Sequence, residues 1–265
     1  MDDNLPRIKY SCFMVAKKII FSNQKGGVGK TTTVVNLGAY LAQMGKRVLL
    51  IDLDSQGNLT SAVSGDGKKP GSYDVIIGKT PVRDAYQTTP VKNLFAISGN
   101  INLAGLNVEL VNELAREFFL RNVLADIDDE WDFILVDCPP SLGLVTINAM
   151  CWADYVIIPM QCEYFAMEGL NLLIRTIGNV KKQLNPHLEL LGIVFTMYTT
   201  RTRLANDVVD DVSSYFSDKV FNTKIPRNVR LSEAPSHGLP INVYDGSSAG
   251  AHSYESLAEE VLERV

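Results

Sequence analysis

The amino-acid sequence predicts an α/β fold, a doubly wound and mostly parallel sheet of seven or eight strands with helices on both faces. Two observations carry that prediction. Apolar runs rich in β-branched residues recur along the chain, nearly continuous rather than alternating, as strands buried on both faces require. Helical periodicities separate these runs, and strands that alternate with helices pair in parallel through crossovers.

Residues 1–13 match no element, and MVAKKIIFSNQ from Met14 is a natural start for the first strand. Residues 1–14 are therefore expected to be a disordered leader or a mis-assigned start, and 15–265 a single domain. The strand runs are IIF at 19–21, VLLIDLD at 48–54, LFAIS at 94–98, FILVD at 133–137, YVIIPM at 155–160 and LLGIVFTMY at 190–198. Val34, Leu37, Leu41 and Met44 mark one helix, ended by Gly45, and Leu106, Leu110, Leu114 and Phe118 mark another. There is no internal repeat, and the one insertion-like stretch is SGDGKKPGS from Ser64 to Ser72.

Composition narrows the classes of function. With 265 residues, 46% hydrophobic and 21% charged, the chain has ordinary globular make-up. No apolar run approaches the roughly 18 residues of a spanning helix, and the N-terminus lacks a basic n-region and a clean apolar h-region, so the expected location is cytoplasmic. A net charge of −5 and a pI near 5.3 oppose constitutive attachment to nucleic acid through bulk charge and leave only a local basic patch. Cys12, Cys138, Cys151 and Cys162 are scattered, without C-x-x-C pairs or neighbouring His ligands, and read as ordinary buried thiols. His187, His237 and His252 are equally scattered.

Residues 23–33 read NQKGGVGKTTT. The simple P-loop pattern G-x-x-x-x-G-K-[ST] fails, because Gln24 stands where its first glycine belongs, but strand, loop and helix follow in the required order. Gly26, Gly27 and Gly29 let backbone amides curl around phosphate oxygens at the positive end of a helix. Lys30 adds a point charge, and the Thr31 hydroxyl suits Mg²⁺. FILVDCPPS sets Asp137 at the C-terminal end of a buried strand, where open α/β sheets bind ligands. Asp52 and Asp54 close another strand, and alternation puts both on one face, with Asp54 nearer the loop and the better candidate to position a water.

These residues resemble the ParA/Soj/MinD group of P-loop NTPases, whose deviant Walker A motif K-G-G-x-G-K-[ST] is here Lys25 to Thr31. The likeness extends from Val15 through DLDSQGNLT (52–60), ILVDCPPSLG (134–143) and IPRNVRLSEAPSHG (225–238), and is nearest to the short, chromosomal Soj type. It implies an ATP hydrolase that uses ATP/ADP and Mg²⁺. Lys25, Gly26, Gly27, Val28, Gly29, Lys30, Thr31 and Thr32 would hold the phosphates, and Pro226 and Asn228 the adenine. Thr31, Asp54 and Asp137 would serve the metal, with Lys25, Lys30, Asp54 and Asp137 in catalysis. It further implies a homodimer formed on ATP binding, in which Lys25 reaches the partner's nucleotide and Gly26 lies at the contact. Ser55 departs from the proline common in relatives, which should loosen this loop slightly.

The segment from Arg201 to Arg230 carries six basic and four acidic residues, a local charge of +2. By resemblance Arg201 and Arg230 bind double-stranded DNA without sequence preference, placing the protein on the nucleoid. A weak patch doubled in a dimer gains affinity by bivalency, roughly 10²-fold or more. The C-terminal SYESLAEEVLERV is acidic, unlike the basic membrane helix of MinD, and no membrane partner is expected. Only 24 residues precede Lys25, too few for an operator-binding domain. The implied function is chromosome or plasmid segregation with a ParB/Spo0J-type protein that stimulates slow hydrolysis. The alternatives are a positioning ATPase for a protein array or microcompartment, a MinD-like division-site ATPase, and, with least support, a metabolic ligase on the same loop.

Overall fold

In the computed structural model, residues 15–163 and 166–265 are described; the proposed leader at 1–14 and Cys12 lie outside them. The strands are β1 (Lys17–Phe21), β2 (Val48–Asp52), β3 (Gln87–Thr88), β4 (Leu94–Ile97), β5 (Phe133–Asp137), β6 (Tyr155–Gln161) and β7 (Glu189–Thr196). They form one seven-stranded sheet in the order β3-β4-β2-β5-β1-β6-β7. Every pairing is parallel except β3 with β4. The expected fold class holds.

Alternation along the strands divides the core in two. Ile19 and Phe21 of β1 join Leu50 and Leu135 under the helices Lys30–Gln43 and Ala249–Arg264. Ile20 joins Ile51, Ile134 and Val136 under Leu144–Trp152, Ala166–Gln183 and Arg203–Phe216. Burying both faces of a parallel sheet is what makes these strand sequences uniformly apolar. The acidic C-terminal helix is a core element: Tyr254, Leu257, Ala258 and Val261 are buried, and the Tyr254 hydroxyl lies 3.2 Å from Thr33 Oγ1 on the helix after the glycine loop. Among the described residues no helix is long and apolar enough to cross a membrane.

Two expectations need correction. The helix expected through Leu106, Leu110, Leu114 and Phe118 is broken: Leu106–Glu109 and Phe119–Val123 are helical, Ala115 takes a left-handed φ of 52°, and Leu114 is 94% exposed. The cause is tertiary. Asn148 donates to the Arg116 carbonyl (2.7 Å) and accepts from the Leu120 amide (3.1 Å), capping a break that local propensity does not foretell. β2 ends at Asp52, so strand alternation does not extend to Asp54. Of the thiols, Cys138 and Cys151 are buried as expected, whereas Cys162 is only partly so, and all three are free.

The loop from Ser64 to Ser72 is pinned to the sheet rather than free. Ser64 Oγ donates to the Gly238 carbonyl (2.9 Å), and Gln87 bridges Asp66 and Ser98. The loop closes where Ser72 N donates to the Ser98 carbonyl at 2.9 Å, and a Cβ on Gly71 would stand 2.2 Å from that same oxygen. Gly71→Ala is therefore expected to destabilise the fold by about 1–3 kcal/mol, read as a lower denaturant midpoint with unchanged slope.

Candidate functional site

The sheet order lays the candidate residues side by side at the C-terminal edge. β5 lies between β2 and β1, so Asp137 is paired in register with Asp52 on one side and Phe21 on the other. Phe21 ends β1, and the glycine loop begins two residues later. Gly27 (φ 72°) and Gly29 (φ 82°) occupy the left-handed region that favours glycine, and Gly29 caps the helix Lys30–Gln43. Gly26 differs: its φ is not left-handed, and a Cβ there would meet nothing within 4 Å. Nothing within the single chain requires glycine at that position.

The loop is braced from behind by strand-end side chains. Thr196 at the end of β7 donates to the Val28 carbonyl (2.7 Å), Gln161 at the end of β6 donates to the Gly27 carbonyl (2.7 Å), and Asn23 donates to Pro159 O (2.8 Å). These contacts turn loop carbonyls toward the protein. No sequence pattern singled out Thr196 or Gln161, because each is an isolated polar residue at a strand terminus.

Two buried carboxylates face each other across β2 and β5, and their surroundings differ. Asp52 Oδ2 accepts from Thr60 N (2.9 Å) and Thr60 Oγ1 (2.7 Å), and Oδ1 accepts from Asp54 N (3.1 Å). Burial pushes its pKa up to about 6 despite these donors. Asp137 Oδ2 accepts from the Thr31 hydroxyl at 2.6 Å, while Oδ1 is buried without a partner. Burial, and then the Asp52 charge, push Asp137 up to about 8. Lys30 is also buried, which lowers its pKa, with Asp137 opposing; its ammonium donates to the Lys25 carbonyl at 3.4 Å. An acid with an orphaned oxygen, beside a hydroxyl and a lysine, suits a hard cation that also binds phosphate. Among the described residues no three or more His, Cys, Asp or Glu side chains are placed together to hold a metal ion, so such a cation would take most of its ligands from elsewhere.

A cavity of about 620 Å³ opens above this edge, lined by Gly26, Gly27, Gly29, Lys30, Thr31 and Thr32 on one side and by Asp54 and Gln56 on another. Ala234 to Ser236 close a third side. The Asp54 turn is closed by Gln56 N to Asp54 Oδ1 (3.0 Å) and Gly57 N to Asp54 O (3.0 Å), so Ser55 serves without proline. Pro226 and Asn228 line an adjoining hollow of about 290 Å³ that shares Gly29, Thr32, Met197 and Pro235 with the first. Asn228 Oδ1 accepts from the Arg230 amide at 2.8 Å, capping the short helix Val229–Glu233. Val28 is buried and lines neither of these two hollows.

The basic patch is less uniform than its linear charge suggests. Arg201 is exposed and makes no ion pair among the described residues. Arg230 is paired with Glu233 (2.9 Å) and Asp245 (3.3 Å), two acids that lie outside the 201–230 window.

A left-handed glycine loop at a helix N-terminus, an acid at the end of the adjacent strand and a cavity above both define a P-loop nucleotide-binding protein. A family model described as an AAA domain matches residues 16–190, and the chain is 56% identical over 250 residues to the chromosome-partitioning ATPase Soj of Treponema pallidum, covering 94% of this chain and 98% of that one. The chain belongs to the ParA/Soj family of partitioning ATPases. It is also 51% identical over 249 residues to the sporulation initiation inhibitor protein Soj of Bacillus subtilis, covering 93% and 98%. Among solved structures, cobyrinic acid a,c-diamide synthase from Mycobacterium smegmatis with bound ATP analogue and magnesium superimposes with a TM-score of 0.83 at 37% identity, covering 94% and 95%. The septum site-determining protein MinD of Pyrococcus horikoshii with Mg-ADP gives 0.74 at 28%, covering 93% and 96%.

Thr60 holds Asp52 with two donors and also accepts from Gly99 N at 2.8 Å. Thr60→Val keeps the shape but removes the hydroxyl from a buried carboxylate, and is expected to cost about 1–3 kcal/mol in urea denaturation.

Proposed function

We propose that this chain is a Mg²⁺-dependent ATP hydrolase that dimerises on ATP, binds double-stranded DNA without sequence preference as a dimer, and acts with a ParB-type partner in chromosome or plasmid segregation on the nucleoid. The observation that carries the reading is the Thr31–Asp137 contact with its unpartnered Oδ1, set beneath a glycine-loop cavity large enough for a nucleotide. In this reading the amides of Gly27 to Thr32 and the Lys30 ammonium hold the phosphates. Thr31 and Asp137 face the metal, with Asp54 nearby. When bound, Mg²⁺ neutralises charge on the phosphate oxygens. Asp54, fixed by its own turn on the far side of the cavity, orients the attacking water. Pro226 and Asn228 flank the base.

Dimerisation is supported by two residues whose side-chain identity the chain's own cavity does not explain. Gly26 has open space about it, so a glycine there suits close approach of a second copy. Lys25 does not line its own chain's cavity, which suits service to the partner's nucleotide. For DNA, Arg201 offers an unpaired charge, whereas Arg230 must exchange Glu233 and Asp245 for phosphate, so its contribution comes with the loss of two exposed ion pairs worth little each.

Metal affinity should depend on pH with a definite sign. In the nucleotide-free fold the Asp137 carboxyl is raised from 3.8 to about 8. The stability it contributes by being protonated is therefore complete below its unfolded pKa and is lost as pH rises through about 8. Mg²⁺ must displace that proton. Apparent affinity for Mg-nucleotide is expected to rise by up to about tenfold per pH unit between roughly 6 and 8, then flatten. Calorimetric titration in two buffers of different ionisation heat should find about one proton released; a pH-independent affinity would remove Asp137 from the metal site.

The DNA switch is tested by gel retardation with ADP, ATP and a slowly hydrolysed analogue. Asp54→Ala should dimerise on ATP and remain on DNA, Lys25→Ala should stay monomeric and unbound, and Arg230→Ala should dimerise yet bind weakly, with a salt slope smaller by about two, one phosphate contact per subunit. DNA binding that ignores the nucleotide would overturn the reading.

A further inference from the structure

Lys25 lies beside a separate hollow of about 270 Å³ between the glycine loop and the end of β6, whose walls include Gln24, Val28 and Gln161. Its ammonium is paired there with Glu163, two residues beyond β6, and both side chains are about half exposed, at 51% and 49%. The backbone on either side is fastened. Asn23 accepts from Lys25 N (3.0 Å) while donating to Pro159 O (2.8 Å), and Glu163 N donates to Gln161 O (3.0 Å) behind the Gln161–Gly27 contact (2.7 Å). The Lys25 and Glu163 side chains can therefore change partners without moving the loop.

We infer that Glu163 is a positioning residue for Lys25: in the single chain it holds the ammonium beside β6, and the pair must open before Lys25 reaches the polyphosphate on a second copy. The inference rests on the reading of Lys25 as a cross-subunit contact. The exchange is of one carboxylate for a more highly charged anion, so nucleotide on the partner drives it, whereas a partner without triphosphate competes poorly with Glu163. A half-exposed pair is weak and salt-screened, so it sets the threshold of dimerisation without forbidding it. Each subunit carries one such pair, and a dimer opens both. Removing the carboxylate is worth at most about fivefold per pair and, the two being independent, about 25-fold on the dimer constant.

Sedimentation velocity with Mg²⁺ and a slowly hydrolysed ATP analogue, on wild type, Glu163→Gln, Lys25→Ala and the double variant, tests this. Glu163→Gln should tighten the dimer by about fourfold to 25-fold at low salt, with the advantage vanishing near roughly 0.5 M salt. In the double variant the gain should disappear, leaving the behaviour of Lys25→Ala. A merely structural glutamate would lower the unfolding temperature and weaken dimerisation together. If Glu163→Gln leaves the dimer unchanged or weaker while Lys25→Ala is monomeric, the positioning role falls and the cross-subunit lysine stands. If Lys25→Ala dimerises like wild type, both fall.

Discussion

The meeting of Asp52 and Asp137 across β2 and β5 governs this sheet edge. Two carboxylates sealed from water in adjacent strands cannot both ionise cheaply, and the chain treats them unequally. Asp52 is settled by Thr60 and the Asp54 amide. Asp137 has only the Thr31 hydroxyl and the field of Lys30, and one of its oxygens has no partner. The edge thus keeps one buried carboxylate oxygen that no group of the protein's own satisfies. The helix Lys30–Gln43 must start where it does because its first turn delivers both the lysine and the hydroxyl to that acid, and the left-handed Gly29 is what allows the turn.

The glycine loop contains residues of two kinds. Gly27 and Gly29 answer to the chain's own backbone, and Lys30 to its own acid. Gly26 lines the cavity without needing to be glycine for this chain's own sake, and the Lys25 side chain is turned to Glu163 rather than to the cavity. A loop whose second half is explained by one chain and whose first half is not is what the proposed composite site would require, with binding energy for nucleotide spent on association.

Charge between Arg201 and Arg230 shows how sequence windows mislead. Counting residues between Arg201 and Arg230 finds a positive excess, but Arg230 sits on a short helix whose own Glu233, three residues on, folds back to it, with Asp245 arriving from just beyond the helix Ile241–Tyr244. The availability of a charge depends on its neighbours in space, and ion pairs this exposed are readily exchanged.

The sequence by itself determined the sheet, the phosphate loop and the acid at the end of FILVD, because buried parallel strands must be apolar and a phosphate cradle must contain glycine at left-handed positions. Those are local constraints, and they are written locally. It misjudged the helix through Leu114, where Asn148 on another element enforces a break, and it put Asp52 and Asp54 on one face by an alternation that ends at Asp52, two residues short. Tertiary structure alone decided that Thr60 occupies Asp52, that Thr196 and Gln161 brace the loop, and that Lys25 rests on Glu163. Each of those contacts joins residues whose separation in the chain carries no period or spacing, so only the folded sheet brings them together.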